Sequence, residues 1–182
     1  MKTPSALAVA LFVWLVGCVS GAAEMPAGPV VLTVAGDIVA ANRPAYDEQR
    51  DMFLKHHKRT FDKAFVFDRP MLERLGVREV RADTDWAGPR TASGPLLVDV
   101  LNAAGCRGGT FDVLALDGFR FKLSKEDVEA REWVVATRAD GRPLGIGDRG
   151  PLWLVFDPAG DRPATAKEIG LGPWALFFIE CG

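Results

Sequence analysis

Short hydrophobic runs, separated by polar and glycine-containing turns, make up most of the chain beyond residue 29. Runs that alternate with polar residues, or that are rich in β-branched and aromatic residues, predict β-strands. They cover residues 30–38, 63–68, 77–83, 110–116, 119–123, 132–138, 150–158 and 173–181. Asp117 and Gly118 separate two of these runs and predict a hairpin turn. The pattern therefore indicates a domain built mainly from short strands.

Helical spacing of apolar residues is confined to a few short segments. It is clearest between Pro95 and Gly105, where we expect a helix that Ser93 or Gly94 caps and Gly105 ends. Further short helices are predicted over residues 45–58 and 69–76 and after the capping-box sequence at 124–127. Many short strands with a few short helices predict a single α+β domain over residues 24–182.

The first 23 residues differ from the rest of the chain and are predicted to be a secretory signal peptide. Lys2 precedes an apolar run from Ala6 to about Val19, and small residues follow that run. The run is too short for a good membrane span. Residues 15–18 also match a bacterial lipobox, in which Cys18 would carry lipid, so both forms of processing remain open. Either form places the domain outside the cytoplasm, and we expect a periplasmic protein.

Composition and charge narrow the classes of function. The chain has 182 residues, of which 48% are hydrophobic and 25% charged, as is typical of one folded globular domain. A formal net charge of -2 provides no basic field to gather phosphates, so we expect no nucleic-acid partner. The only histidines, His56 and His57, are adjacent in a polar stretch and are predicted to be solvated. The sequence has no Ser/His/Asp set for catalysis and no cysteine or histidine cluster with zinc-ligand spacing.

Export changes the interpretation of the cysteines. Cys18 would leave with the signal peptide or carry lipid, so Cys106 and Cys181 would remain in the domain. In an oxidising compartment these two residues can form a disulfide that ties the end of the predicted helix to the last strand. Two separately buried free thiols are the alternative.

Several motifs, in their order and spacing, resemble the molybdopterin-binding domain of the sulfite oxidase family. They are the "TDW" of residues 84–86, "GPLLVDVLNAAG", "LALDGFRFKLSKEDV" and "GDRGPLWLVFDP". The resemblance covers residues 30–180 and implies a sulfite-oxidase-like α+β fold with mixed sheets. Enzymes of that family hold molybdenum through a cysteine thiolate in the loop before the helix, but the corresponding segment, residues 81–94, contains no cysteine. Cys106 lies beyond the helix, and Trp153 replaces the family's usual arginine.

A narrower group fits these departures better. The "T-x-W" loop, "GPLL-x-D" and "GPLW" motifs resemble those of small exported bacterial proteins that bind a free pterin. Those proteins work with membrane-bound sensors that carry cyclic-di-GMP synthesis and degradation domains. The resemblance implies a pterin ligand, such a membrane partner, no molybdenum and no turnover. A molybdopterin-dependent oxidoreductase without the thiolate ligand is the alternative, and an accessory protein that uses the fold as an interaction surface is a third.

The polar segment before the helix is the first part of the predicted pterin site. A pterin is a flat, polar bicycle, so its site needs a ring to stack on and acceptors for its N–H edge. Trp86 could provide the stacking surface, Asp83 or Asp85 the acceptor, and the Thr84 hydroxyl a donor or an acceptor. A core position for Trp86 and an exposed loop position for Asp85 are the alternatives. Asp83 and Asp85 do not suggest a catalytic pair, because alternate residues of a strand point to opposite faces.

The turn at residues 147–150 is the second part of the predicted site. Arg149 could present a planar donor fork to the ligand while Asp148 fixes its direction, or it could be an ordinary surface arginine. Phe119 could border the pocket, although a contact within the hairpin core is expected. The apolar strand patterns predict core positions for three tryptophans, Trp133, Trp153 and Trp174.

Overall fold

The fold consists of two β-sheets and a few short helices. The computed structural model describes residues 23–82, 89–158 and 172–182. The strands are β1 (Val30–Gly36), β2 (Ala64–Asp68), β3 (Arg78–Ala82), β4 (Arg90–Gly94), β5 (Thr110–Ala115), β6 (Arg120–Ser124), β7 (Val134–Ala136), β8 (Arg138–Ala139), β9 (Arg142–Pro143), β10 (Leu152–Val155) and β11 (Trp174–Cys181). The helices are α1 (Met52–His56), α2 (Arg69–Arg74), α3 (Leu97–Ala104) and α4 (Lys125–Glu129). The α+β class predicted from the sequence is confirmed.

The larger sheet is organised around β11. Its main path has the order β2-β1-β11-β10-β7. β5 also pairs with β11, and β6 pairs with β5. The pairing of β1 with β11 is parallel, whereas the other pairings of this sheet are antiparallel. Leu176, Phe178 and Ile179 of β11 are fully buried because the strand lies in the middle of the sheet. The predicted hairpin of β5 and β6 is also confirmed, and its turn residue Gly118 has a φ of 89°.

The smaller sheet has the order β3-β4-β8-β9 and contains a strand that the sequence did not predict. Residues 90–94 were expected to be loop and helix cap, but they form β4, which pairs with β3 and β8. A Cβ on Gly94 would lie 2.1 Å from the Val135 carbonyl oxygen, so glycine allows this close approach. Ser93 and Gly94 therefore do not cap α3. The helix begins at Leu97, whose N–H donates to the Trp133 carbonyl, and it ends at Gly105 as predicted.

The predicted helix over residues 45–58 is much shorter than its pattern suggested. Only Met52–His56 is helical, because the Asp47 carboxylate accepts hydrogen bonds from the N–H groups of Gln49 and Arg50 and closes a turn before the helix. α2 agrees closely with its prediction and follows a side-chain cap from Asp68. The predicted capping box before α4 is present in full.

One aromatic prediction was wrong, a second was met only in part, and one histidine lies in an unexpected place. Trp133 and Trp153 are buried as predicted, but Trp174 is 41% exposed and Phe119 is 43% exposed. The Phe119 ring contacts Phe121 of the same hairpin, with centroids 6.0 Å apart, but it is not part of a buried core. His56 is exposed, whereas His57 is half-buried and packs its ring against Phe53 and Phe177, with centroids 4.7 and 5.4 Å away. β11 supplies Phe177, a contact that cannot be seen in the local polar pattern around His57.

A disulfide joins the two cysteines of the described chain. Cys106, just after α3, is bonded to Cys181 at the end of β11, and their Cα atoms are 5.8 Å apart. The predicted signal peptide and lipobox fall in residues 1–22, outside the described residues, and remain predictions. No helix within the described ranges is long and apolar enough to cross a membrane.

Candidate functional site

The first part of the predicted site lies beyond the described residues, but both of its ends are described. Asp83, Thr84, Asp85 and Trp86 belong to residues 83–88, which the structure does not describe. The chain leaves β3 at Ala82 and enters β4 at Arg90, and these two residues are paired across the strands. The segment that carries the four predicted residues therefore connects neighbouring strands of the smaller sheet.

The tight turn between β8 and β9 holds the start of β4. Asp140 and Gly141 both have positive φ values, 48° and 75°, as the short turn of a twisted hairpin requires. The Asp140 carboxylate accepts hydrogen bonds from the Thr91 N–H at 3.0 Å and from Arg90 Nη1 at 2.8 Å. The Thr91 N–H and then the Arg90 guanidinium hold the pKa of Asp140 below its ordinary value. This ionised carboxylate fixes one end of the segment that precedes β4.

Arg149 is held over two tryptophan rings. Its guanidinium carbon lies 4.8 Å from the ring centroid of Trp153 and 5.6 Å from that of Trp174. Cation–π contacts of this kind contribute about 0.5–2 kcal/mol each. The backbone supports the arrangement, because the Arg149 carbonyl accepts a hydrogen bond from the Ala175 N–H at 2.9 Å. Arg149 is therefore a half-buried residue whose guanidinium lies near the buried Trp153 ring and the partly exposed Trp174 ring.

The turn that presents Arg149 is compact and depends on glycine. The Gly145 carbonyl accepts hydrogen bonds from the N–H groups of Asp148 and Gly150, at 3.2 and 3.0 Å. A Cβ on Gly150 would come within 2.7 Å of that same carbonyl oxygen. The Asp148 side chain is exposed, and no hydrogen bond or ion pair among the described residues joins it to Arg149. Asp148 therefore does not fix the direction of Arg149, and two aromatic rings lie beside the guanidinium.

One apolar cluster connects the two parts of the predicted site. Ala82, where the first segment begins, packs in the same buried cluster as Leu144 and Trp153. Leu144 precedes the turn of Arg149, and Trp153 lies under its guanidinium. The cluster therefore brings the end of β3 and the Arg149 turn to one region of the molecule, although about sixty residues of sequence separate them.

A half-buried arginine, Arg69, makes hydrogen bonds to the backbone of this region. Arg69, at the start of α2, donates hydrogen bonds to the carbonyl oxygens of Thr137 and Leu144, the latter at 2.7 Å. Burial lowers the pKa of Arg69, and the nearby Glu73 carboxylate opposes that effect. Glu73 also accepts two hydrogen bonds from Arg138, at 3.0 and 3.4 Å. These polar contacts attach α2 to the hairpin of β8 and β9 and to the stem of the Arg149 turn.

The described residues place a partly exposed aromatic ring beside a guanidinium in this region. The exposed part of the Trp174 ring offers a flat apolar surface, and the adjacent guanidinium offers donors in one plane. The sequence reasoning missed Trp174 because its strand reads as uniformly apolar. It also missed the anchoring role of Asp140, although the "ADGR" sequence is a recognisable turn signal.

The thiols of the described chain do not fit the family's metal ligand. Enzymes of the resembling family require a cysteine thiolate, and the described cysteines, Cys106 and Cys181, are bonded to each other. Among the described residues, no three histidine, cysteine, aspartate or glutamate side chains are placed to hold a metal ion together. Asp83 and Asp85 lie outside that set. Molybdenum coordination through a thiolate of the described chain is therefore inconsistent with this donor set.

Comparison with known proteins supports the fold and goes no further. No family model matches the sequence, and no curated protein matches it. Among solved structures, the sulfane dehydrogenase SoxCD from Paracoccus pantotrophus is similar, with a TM-score of 0.55 and 15% sequence identity. The match covers 88% of this chain and 40% of that chain, so the protein spans two fifths of the length of its structural neighbour. The chain thus has a sulfite-oxidase-like α+β fold.

Proposed function

We propose that this protein is a periplasmic pterin-binding sensor that takes up a free pterin without molybdenum and without turnover. Ligand occupancy would be passed by contact to a membrane-bound protein with cyclic-di-GMP synthesis and degradation domains. The fold is that of the family which the sequence motifs resemble, and the proposal about ligand and partner rests on those motifs.

The observation that carries the proposal is the Arg149 guanidinium against two tryptophan rings, one of which shares a buried cluster with the end of β3. The guanidinium lies against Trp153 and Trp174, and the shared apolar cluster brings it to the region where β3 leads into the segment with Trp86. Planar donors and aromatic surfaces in one region suit a flat ligand that carries a carbonyl and an N–H edge. The Cys106–Cys181 disulfide supports recognition of the pterin over metal chemistry, because it occupies both thiols of the domain.

A molybdopterin-dependent oxidoreductase is the second candidate, and the likeness to the sulfane dehydrogenase favours it. In that case the cofactor would have to be held without a protein thiolate from the described chain. The two candidates predict different compositions of the purified protein. A pterin sensor would contain one pterin and no molybdenum per chain, whereas an oxidoreductase would contain molybdenum.

Native mass spectrometry with metal analysis separates the two candidates. The proposal expects the mass of a single pterin, its fluorescence after denaturation, and molybdenum well below one atom per chain. One molybdenum per chain would refute it, as would a protein that takes up neither native pterins nor added ones.

Substitutions then test the residues. Trp86→Ala and Arg149→Lys should each weaken pterin binding about tenfold or more, because one removes the stacking surface and the other the planar donor fork. Arg107→Lys, an exposed arginine just after Cys106, is the matched control and should bind pterin normally. Affinity unchanged in Trp86→Ala and Arg149→Lys, with folding intact by circular dichroism, would place the ligand elsewhere.

A further inference from the structure

We propose that a groove at the ends of β1 and β11 binds the ring of a neutral saccharide. The groove, termed here the Tyr46 groove, has a volume of about 580 Å³ and is lined by Gly36, Tyr46 and residues 60–63. Small-molecule sites commonly have volumes of about 300–1,000 Å³. Gly36 pairs with Cys181 at the end of β11, whereas Arg149 contacts the start of that strand, so about 20 Å of strand separates the two regions. The proposal does not depend on pterin binding.

The first argument is that backbone and aromatic contacts already fix the walls of the Tyr46 groove. The Tyr46 N–H donates to the Phe61 carbonyl at 2.9 Å, and the two rings meet edge to face with centroids 6.3 Å apart. The Arg43 guanidinium carbon lies 5.1 Å from the Phe61 centroid, and the same guanidinium is paired with Asp51. The walls therefore form without a ligand, as is usual for small-molecule sites.

The second argument is the bare backbone at the floor of the groove. Gly36 has a φ of 89°, and a Cβ there would lie 2.1 Å from the Cys181 carbonyl oxygen. Only glycine fits, so no side chain from this position enters the groove. The Asp37 N–H donates to the same carbonyl at 2.8 Å and holds the floor against β11. The lining residues all lie within the described range 23–82.

The third argument is a set of polar side-chain groups whose hydrogen-bonding capacity is unused. Among the described residues, nothing forms a hydrogen bond or an ion pair with the Tyr46 hydroxyl, the Thr60 hydroxyl or the Asp62 carboxylate. Thr60 and Asp62 are exposed, and Tyr46 is half-buried. A hydroxyl both donates and accepts, and a carboxylate accepts on two oxygens. These groups suit a ligand that is itself rich in hydroxyls.

The charge of the groove favours a neutral ligand. Its lining contains one carboxylate, Asp62, and one ammonium, Lys63, so the formal charges cancel. Lys63 Nζ lies 3.5 Å from the Val39 carbonyl oxygen, at the long end of hydrogen-bond distances. The ammonium therefore faces Val39, and a carboxylate or phosphate ligand would meet no bare cation. Hydroxyls donating to Asp62 would make charge-assisted hydrogen bonds, which are stronger than neutral ones.

The aromatic wall distinguishes a sugar ring from other hydroxyl-rich molecules. A pyranose has an apolar face of C–H groups and a rim of hydroxyls. The partly exposed Tyr46 ring offers an apolar surface for that face, and its own hydroxyl lies at the wet end of the ring. Thr60 and Asp62 can then reach the rim. An acyclic polyol has the hydroxyls but no rigid face to place on the ring.

Titration with simple sugars tests the proposal. The probes are the methyl pyranosides of glucose, galactose and N-acetylglucosamine, each added to purified ¹⁵N-labelled protein. We expect saturable binding of at least one of them, with amide shifts concentrated in residues 36–37, 45–46 and 60–63. Absence of saturable binding by all three, or shifts centred elsewhere, would overturn the proposal.

Substitutions locate the interaction without threatening the fold. Asp62→Asn should weaken binding about tenfold or more, because charge-assisted hydrogen bonds are lost. Tyr46→Phe keeps the contact with Phe61 and removes only the hydroxyl, so it should weaken binding about threefold or more. Glu79→Gln, which alters an exposed carboxylate of β3, is the matched control and should bind like the parent. Parent affinity in both groove variants would refute the assignment.

Two further probes separate the sugar ring from its parts. Mannitol carries hydroxyls without a ring and should bind at least about fivefold more weakly than the best pyranoside, since the apolar contact with Tyr46 is lost. Alanine is a zwitterion of similar charge balance to the groove and should cause no saturable shifts there. Equal binding of mannitol, or tighter binding of alanine, would show that the groove does not recognise a saccharide ring.

Discussion

Replacing Cys106 and Cys181 by alanine is expected to lower the free energy of unfolding by about 4.5 kcal/mol. The disulfide joins residues 75 positions apart, so it closes a long loop in the unfolded chain. For a loop of that length, the chain-entropy relation gives a loss of about 15 cal/mol/K, which corresponds to about 4.5 kcal/mol at 25 °C. Domains of this size commonly have 5–15 kcal/mol of stability in all, so the disulfide would supply a large share.

The native surroundings of the two cysteines explain why the fold should survive their replacement. The Cys181 carbonyl accepts a hydrogen bond from the Asp37 N–H at 2.8 Å, and the Cys106 N–H donates to the Leu101 carbonyl at 3.0 Å. Both bonds use backbone atoms, which alanine keeps. Alanine also suits the buried Cys181, which is 2% exposed, because it adds no hydroxyl to the core.

Urea unfolding with tryptophan fluorescence measures this effect. The measurement compares the oxidised parent, the parent in dithiothreitol and the double alanine variant. All three are analysed with the same slope of unfolding free energy against urea concentration, because a changed slope reports a changed unfolded state. We expect the reduced parent to resemble the variant, and dithiothreitol to have no effect on the variant itself. A difference between oxidised parent and variant below about 1 kcal/mol would refute the reasoning from loop closure.

Two further predictions concern groups whose surroundings were described above. Burial lowers the pKa of His57 and the neighbouring His56 adds to the effect, so the neutral ring is favoured in the folded state. The unfolded chain therefore binds more protons, and stability is fully present above the ordinary histidine pKa and is lost as pH falls below it. Thermal unfolding should show this loss in the parent and a shallower one in His57→Phe, and equal slopes would contradict the assignment to His57. Gly94→Ala should lower stability by about 3 kcal/mol, since its Cβ would overlap the Val135 carbonyl. Gly109→Ala, which meets no atom within 4 Å, is its control, and equal losses of stability in urea unfolding would contradict the steric explanation.

Features that depend on neighbouring residues could be predicted from the sequence. The turn at Asp117 and Gly118, the capping box before α4 and the end of α3 at Gly105 all formed as expected. Their causes act over a few residues, through backbone freedom, side-chain caps and the spacing of apolar positions. The order of the motifs also predicted the fold, because together they span most of the domain.

Features that depend on distant residues were decided only by the tertiary structure. The polar residues 90–94 became a strand because β3 and β8 pair with them, and Gly94 fits there because Val135 approaches it closely. The apolar pattern placed Trp174 in the core, yet its ring is partly exposed and lies near the Arg149 guanidinium. His57 lost its expected solvation because Phe177 of β11 packs on it. Local patterns determine which elements form, whereas pairing and packing between distant segments determine which side chains are buried, exposed or brought together.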